Sequence, residues 1–438
     1  MENPLLTQAA ALLTSVVRQQ VALPCSLEQL EATIHPLAHA LARQTAQQLA
    51  VESVAQAEGA PVACACGGQP QAQQRRPRRV LLLFGLVTLR LRRYRCPACR
   101  AWQCPGAAVL QLRPRQRLTR TVEEWLGRLG LAWSFAVAAH EAARLLPGVA
   151  VSAKTVERSV ARCGQAVAAR EEAAATAAAA DERAVVGTGP ALTNPQRRWV
   201  ALDGVMVRAR GAGQWLEVQV ASLWSAWRER PNRQYPRREL TDVTVLARTQ
   251  GWEALGRHLW RMIVARGGLT PAEAEWFVFG DGASGIRSLW EQFLPEGRLV
   301  LDRWHLWEKL KERSREVFGR GPRALAACKE AYALLKQGAV VRAQALVAAW
   351  PARNEWAAKQ RQRLWDYLER NADLIPDYEQ LAAAGCLVGA GRSEKANDLV
   401  VVPRMKNGKM HWGRRGADFV ALLRAYHLSD PDAPFLPM

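Results

Sequence analysis

Three acidic residues stand in settings from which carboxylates could grip divalent cations. They are Asp203 in Trp199-Val-Ala-Leu-Asp-Gly204, Asp281 in Phe277-Val-Phe-Gly-Asp-Gly282, and Glu394 in Gly389-Ala-Gly-Arg-Ser-Glu394. Mg²⁺ takes hard oxygen ligands and keeps several waters, so three carboxylates suffice without histidine or cysteine. Two such ions, roughly 3.5–4 Å apart, acidify an attacking hydroxyl and neutralise a leaving alkoxide, which is what phosphodiester transfer needs. Taken singly, an Asp-Gly is an ordinary turn, and a glutamate in a helix's first turn is ordinary dipole complementarity. Their joint order and surroundings carry the metal reading.

The elements that must position these acids follow from the flanking patterns. Asp203 and Asp281 each end a short apolar, β-branched run, so each is expected at the mouth of a buried strand, where an α/β sheet displays its chemistry. Asp302, after Leu299-Val-Leu301, follows a similar run and competes for the role of second ligand. Asp281 is preferred, because its Gly-Asp-Gly setting permits close approach. Glu394 follows a glycine-rich turn and is expected near the first turn of a helix. Strands are expected at 199–202 continuing through 205–207, at 216–223, 240–246, 277–279 and 299–301, with a turn at 211–213 and a helix over 252–265. Three antiparallel strands, a helix, then further strands is the order of an RNase H-like α/β sheet. From Arg303 to about Ala384 the pattern is helical and rich in Arg, Lys and Trp.

The first 58 residues carry apolar positions at helical spacing, including Leu27, Leu30, Ile34 and Leu37. A segment over 59–112 then holds Cys64-Ala-Cys66, an arginine-rich stretch, a strand-like run over 80–91, and Cys96-Pro-Ala-Cys99. Paired thiols flanking a hairpin build a small zinc ribbon, because four thiolates replace the core that so short a segment lacks. Cys64, Cys66, Cys96 and Cys99 are therefore candidate Zn²⁺ ligands, the alternative being unrelated reduced thiols. The five scattered cysteines read as core thiols. Residues 113–182 read as helical: an amphipathic helix broken at Pro147-Gly148, then a second capped by Ser152 that turns Lys154 and Arg158 outward. This is either a DNA-binding helix-turn-helix or an ordinary helical hairpin. The alanine-rich stretch 166–181 ends in a loop containing Gly187, Gly189, Pro190 and Pro195, which reads as a linker.

A net charge of +20 favours a polyanionic partner, and its distribution is uneven. Residues 61–120 contain 13 Arg and no Asp, Glu or Lys, a composition that holds phosphates. The longest apolar run, 80–89, is too short for a bilayer, which takes about 20 residues, and no signal peptide is recognisable. A soluble, cytoplasmic, nucleoid-associated protein with no membrane partner is expected. Trp290, Trp304, Trp307, Trp350, Trp356, Trp365 and Trp412 are either stacking platforms for unpaired bases or core residues. The basic stretch 227–238, and Arg404, Lys406 and Lys409 after the third acid, are candidate phosphate contacts.

The blocks Gly280-Asp-Gly-Ala-Ser-Gly-Ile286 and Phe293-Leu-Pro-Glu-Gly-Arg-Leu-Val-Leu-Asp-Arg-Trp-His-Leu306 resemble the second-aspartate region of Mutator-like DDE transposases from bacterial insertion sequences. Gly389-Ala-Gly-Arg-Ser-Glu-Lys-Ala-Asn397, with Arg404-Met-Lys-Asn-Gly-Lys-Met-His-Trp412, resembles the third-acid region. Within that family the likeness is to the ISKra group, whose members have a Cys-rich, Arg-rich amino-terminal part, and it runs over about 60–415. The resemblance implies that Asp203, Asp281 and Glu394 bind Mg²⁺ or Mn²⁺, and that Asp302-Arg-Trp-His305 places His305 beside the active site. There His305 either donates to the scissile phosphate or a displaced strand, or packs under the sheet. In this chain the first thiol pair is Cys-x-Cys where the family more usually has Cys-x-x-Cys. Arg392 stands where a small or apolar residue is commoner, and is a candidate phosphate contact.

The expected organisation is an RNase H-like catalytic core over 196–302 and 385–425, interrupted by an all-α insertion over 303–384 and preceded by DNA-binding segments. The activity implied is nicking at element ends, followed by attack of the freed 3′-hydroxyl on target DNA. The partners implied are double-stranded DNA, as terminal inverted repeats and target, and further copies of the chain on DNA. Two readings compete: a DNA-binding regulator or domesticated protein without catalysis, and a nuclease that cuts without joining.

Overall fold

In the computed structural model the described residues are 4–146, 150–181, 197–211, 213–230, 237–266, 275–386, 393–406 and 410–437, and the side chains of 4–6, 227–230, 237–239, 241 and 393–395 lie outside that description. The chain is α/β and divides into two compact units, residues 1–160 and 161–438, the division falling within one long helix. Among the described residues no helix is long and apolar enough to cross a membrane.

The first unit opens with helices α1 (Pro4–Arg18) and α2 (Leu27–Gly59). Ser26 and Gln29 start α2 with a reciprocal capping box, each side chain bonded to the other's backbone amide. Strands β1 (Gln71–Ala72), β2 (Arg76–Leu82), β3 (Gly85–Leu91), β4 (Tyr94–Arg95) and β5 (Trp102–Gln103) follow, then α3 (Pro105–Val109), α4 (Arg120–Ala132), α5 (Phe135–Leu145) and the start of α6 (Ala153–Ala180). β2 and β3 form an antiparallel hairpin, and β1, β4 and β5 a small sheet. In β3, Val87, Leu89 and Leu91 are buried while Leu86, Thr88 and Arg90 are exposed, the period-two alternation of a half-covered strand. The buried row meets Val54 of α2. A second core gathers Leu126, Ala138, Ala142 and Val156 from α4, α5 and α6.

The second unit holds the remainder of α6 and a five-stranded mixed sheet. Its strands are β6 (Arg197–Arg208), β7 (Trp215–Trp224), β10 (Thr244–Arg248), β11 (Glu275–Gly280) and β12 (Arg298–Leu301), in the spatial order β10-β7-β6-β11-β12. β7 is antiparallel to both β6 and β10, whereas β11 is parallel to β6 and to β12. A two-stranded ribbon, β8 (Ala226–Arg230) with β9 (Arg237–Thr241), extends from the β7 end. Helices α7 (Trp252–Ala265) and α8 (Ser284–Phe293) connect strands. After β12 come α9 (Arg303–Phe318), α10 (Pro322–Lys336), α11 (Val340–Ala348), α12 (Glu355–Arg370) and α13 (Tyr378–Ala383), with no strand among them, then α14 (Ser393–Val400) and α15 (Arg414–Ser429).

One apolar core spans the sheet and α7 to α12. Trp199 and Trp224 are register partners on β6 and β7, fully buried and stacked with ring centroids 6.4 Å apart. Such a cross-strand aromatic pair fixes register. Phe277 and Phe279 are buried on one face of β11 and Trp276 and Val278 on the other, as a parallel strand covered on both sides requires.

Several sequence expectations need correction. The alanine-rich stretch 166–181 is helical as far as Ala180, because alanine is the best helix former and Val167, Ala175 and Ala178 are buried along α6; the expected linker loop with Gly187, Gly189, Pro190 and Pro195 lies outside the described residues. The expected strand 240–246 is divided between β9 and β10. The break is at Asp242, whose φ of +50° ends the extended run and whose carboxylate accepts from the Ser225 amide at 3.0 Å. The helix over 252–265 has the expected bounds. Among the scattered thiols Cys163, Cys328 and Cys386 are buried, while Cys25 and Cys104 are partly exposed.

His258 on α7 gives the second unit a pH dependence. Burial, then the charges of Arg248, Arg261 and Arg257, push its pKa down from 6.5 to about 3. Glu172, 3.5 Å away, pulls the other way, but its side chain is half exposed and burial prevails. Between pH 6.5 and about 3 the unfolded chain therefore binds a proton that the fold refuses, and stability falls as pH falls through that window. Thermal melts of the full chain should show a steeper loss of Tm from pH 6.5 to 4 in the wild type than in His258→Gln; parallel curves would refute the assignment.

Candidate active site and candidate metal centre

Strand register brings the aspartates together. β6 and β11 pair with a constant offset, from Arg197 with Glu275 to Ala201 with Phe279. Carried two residues further, that offset sets Asp203 level with Asp281. β11 and β12 pair up to Gly280 with Leu301, so Asp302 lies in the same row, its amide donating to the Gly280 carbonyl at 2.8 Å. Adjacent residues in one row of a parallel sheet point to the same side.

Asp203 departs from the expectation of a strand end. It sits inside β6, paired with Val220, and the strand continues to Arg208 because β7 pairs with it that far. Gly204 is thus no turn residue. A Cβ there would come within 2.2 Å of Glu217 Oε1, so glycine leaves room for that carboxylate. Asp203 is largely buried, and its oxygens are held on two sides: the Gly204 amide donates to Oδ1 at 2.8 Å, and Asn397 Nδ2 donates to Oδ2. Burial raises the Asp203 pKa above the usual carboxylate range; His305 lowers it, the Gly204 amide lowers it, and the neighbouring charge of Asp281 raises it.

Asp281 follows the end of β11, partly exposed. Its Oδ1 accepts from the Ala283 amide at 2.8 Å, and its carbonyl accepts from the Tyr367 hydroxyl at 3.3 Å. The glycines beside it are required by close approach. A Cβ at Gly280 would meet Ile286 at 2.7 Å; Gly282 has φ of +81° and a Cβ there would meet Asn371 Oδ1 at 2.3 Å. Burial, with Asp281 and Asp302 nearby, raises the Tyr367 hydroxyl pKa and keeps it a donor.

Asp302, the competing ligand, is 1% exposed and stands at the N-cap of α9, which carries His305. His305 Nε2 lies 3.9 Å from Oδ2 of both Asp203 and Asp302, at charge-contact rather than hydrogen-bond distance. The side chain of Glu394 lies outside the described residues. Its backbone is in the first turn of α14, which packs on β6 and β7, one helical turn before Asn397. Asn397, Tyr367 and Asn371 have no assigned role in the sequence reading. The local signal for Asn397 is an amide side chain one helical turn after a candidate acid; nothing local marks the other two.

The basic candidates divide. Arg404, expected at a phosphate, is only 2% exposed, its guanidinium 4.9 Å above the Trp412 ring, and burial lowers its pKa to about 10. It belongs to the packing of this region, because a π-helical turn over Val402–Lys406 rotates it inward. Lys406 is exposed; Lys409 and Arg392 lie outside the described residues. In the first unit Arg158 is exposed, and Lys154 is exposed but paired with Glu157 at 2.7 Å. Of the seven tryptophans weighed for stacking, Trp304 and Trp356 alone are exposed, at 41% and 50%; the others are buried or partly buried.

Cys64, Cys66, Cys96 and Cys99 meet in the first unit, with all four sulfurs within 4.8 Å of one another. Among the described residues no other three or more His, Cys, Asp or Glu donor atoms gather this closely. Neighbouring sulfurs stand 3.4–3.5 Å apart, far beyond a disulfide and near the edge of a tetrahedron with Zn–S of about 2.3 Å. A Cβ at Gly68 would come within 2.8 Å of Cys96 Sγ, so glycine admits the thiol. The Gly68 amide, then Cys99, Cys64 and Cys96, lower the Cys66 thiol to about 6; the Ala101 amide lowers Cys99 but the three neighbouring thiols prevail and raise it to about 12. This donor set fits Zn²⁺, whose charge would let all four ionise together.

No protein-family model and no curated protein matches the chain.

Metal analysis of the purified chain should give one zinc per chain, lost in Cys96→Ser. Chelation should lower the Tm of the wild type and leave that of Cys96→Ser unchanged. A wild type without zinc after refolding in its presence would overturn the assignment.

Proposed function

We propose that this chain is a DDE-type DNA transposase, which cuts at the ends of a mobile element and joins the freed 3′-hydroxyl to target DNA. The observation that carries the reading is the register that sets Asp203 level with Asp281, with Asn397 binding Asp203 one turn after Glu394. The order of elements supports an RNase H-like core: antiparallel β6, β7 and β10, then α7, then β11 and β12 parallel to β6. The helices α9 to α13, between β12 and α14, are where an insertion between the second and third acids is expected. The resemblance to Mutator-like transposases of the ISKra group rests on these same blocks.

Asp203, Asp281 and Glu394 would hold Mg²⁺ or Mn²⁺, which when bound acidifies the attacking oxygen and neutralises the leaving one. Asn397 and the Gly204 amide orient the Asp203 carboxylate, and the Ala283 amide orients that of Asp281. His305, beside Asp203, is positioned to donate to a phosphate oxygen of the strand being cut. Asp302, 1% exposed, caps α9, the helix that carries His305, and this reading gives it that positioning role and keeps Asp281 as the second ligand. Exposed arginines of 61–120, with the four-cysteine knuckle as their support, would bind duplex phosphates. Joining two ends to one target calls for more than one copy of the chain on DNA.

The test uses the full chain, Mg²⁺, a plasmid target and pre-cleaved oligonucleotides copying the inverted repeats that flank the reading frame. Wild type should give joined product. Asp203→Asn and Asp281→Asn should reduce it to background with unchanged Tm, and Asn397→Ala should reduce it about 10–100-fold, as losing a ligand's orienting partner does. Equal product from wild type and Asp203→Asn would sink the enzyme reading. Cutting without joining would favour the nuclease, and binding without either would favour the regulator.

A further inference from the structure

A cleft of about 830 Å³ opens beside Asp281 and His305 and runs between α9 and α12. Along α9 it extends from His305 to beyond the helix end, roughly 22 Å at about 1.5 Å of rise per residue. An open trough of that length can take one extended nucleic-acid strand along α9.

The charge of the walls has one net sign. The glutamates that line it are each committed to a nearby cation: Glu308 to Lys311 at 2.9 Å, Glu312 to Lys309 at 3.0 Å, and Glu316 to Arg313 at 2.6 Å. Arg315, Arg320, Arg353 and Arg370 also line the cleft, are exposed, and have no acidic partner among the described residues. Four uncompensated guanidiniums along one trough attract a string of phosphates. Trp356 lines the same wall half exposed, a flat apolar face among cations. An aromatic platform beside a basic trough is what holds unpaired bases without regard to sequence.

We propose that the α9–α12 cleft binds a single-stranded segment of the DNA substrate, with its phosphates on Arg315, Arg320, Arg353 and Arg370, a base stacked on Trp356, and the strand leading away from the candidate acids. This deepens the transposase reading and rests on it for the identity of the DNA. The cleft would thus select ends whose strands are separated next to the cut.

The experiment measures binding of the full chain, with divalent metal chelated by EDTA, to one duplex carrying either a blunt end or a six-nucleotide overhang. The ratio of the two affinities cancels duplex binding by the rest of the chain. Wild type should prefer the overhang. Trp356→Ala should reduce the preference about five- to fiftyfold, Trp356→Phe should retain most of it, and Arg315→Ala/Arg353→Ala should lower the salt slope of overhang binding by about 1.4. Iodouracil in the overhang should photocrosslink to the peptide containing Trp356. No overhang preference, a preference unchanged in these folded variants, or displacement by polyglutamate alone and not by oligonucleotide would each overturn the proposal. A chain that binds overhangs here but never joins ends would instead count against the transposase reading alone.

Discussion

The relative register of β6, β11 and β12 is the constraint on which the candidate active site depends. A side chain in a strand alternates faces with a period of two, so a slip by one residue would turn Asp203 away from Asp281. The slip is opposed by apolar residues that have no other place to go. Trp199 stacks on Trp224, while Val200, Leu202, Phe277 and Val278 are fully buried. Replacing one such residue as large as Phe277 with alanine typically costs about 3–5 kcal/mol. Asp203 within β6 and Asp281 just past the end of β11 thus keep one level because the strands that carry them are locked by their buried side chains.

Helices outside the sheet complete what the strands begin. Asp302 caps α9, and His305 on its first turn faces both Asp203 and Asp302. Tyr378 donates to the Leu301 carbonyl at 2.6 Å, fixing the end of β12, and Tyr367 donates to the Asp281 carbonyl. These hydroxyls come from the helical segment that also walls the cleft. The segment therefore both supports the acid at the sheet edge and forms the trough leading from it.

The first unit solves a different problem. Its small sheet of β1, β4 and β5 has too few residues to bury a core, and four thiols take the place of one. Arginine there is not uniformly available: Arg75 pairs with Glu58, Arg113 with buried Glu123, and Arg78 donates to the carbonyls of Arg113 and Gln116. Trp102 stays exposed with Arg93 and Arg95 over its ring at 4.3 and 5.7 Å, leaving a cationic face beside the knuckle.

Residue type and local period were enough to read the strands that carry Asp203 and Asp281, the helix over 252–265, the all-helical stretch after Asp302 and the two thiol pairs, because each is written in consecutive residues. The alanine-rich run before the glycine- and proline-rich stretch is helical by propensity, whereas the φ of Asp242 leaves no mark in its neighbours. The level of Asp203 with Asp281, the contact of Asn397 with Asp203 across 194 positions, the burial of Arg404 and the trough between α9 and α12 belong to the tertiary structure. Each depends on where distant segments pack, and a one-dimensional pattern records which face a residue prefers but not what that face will meet.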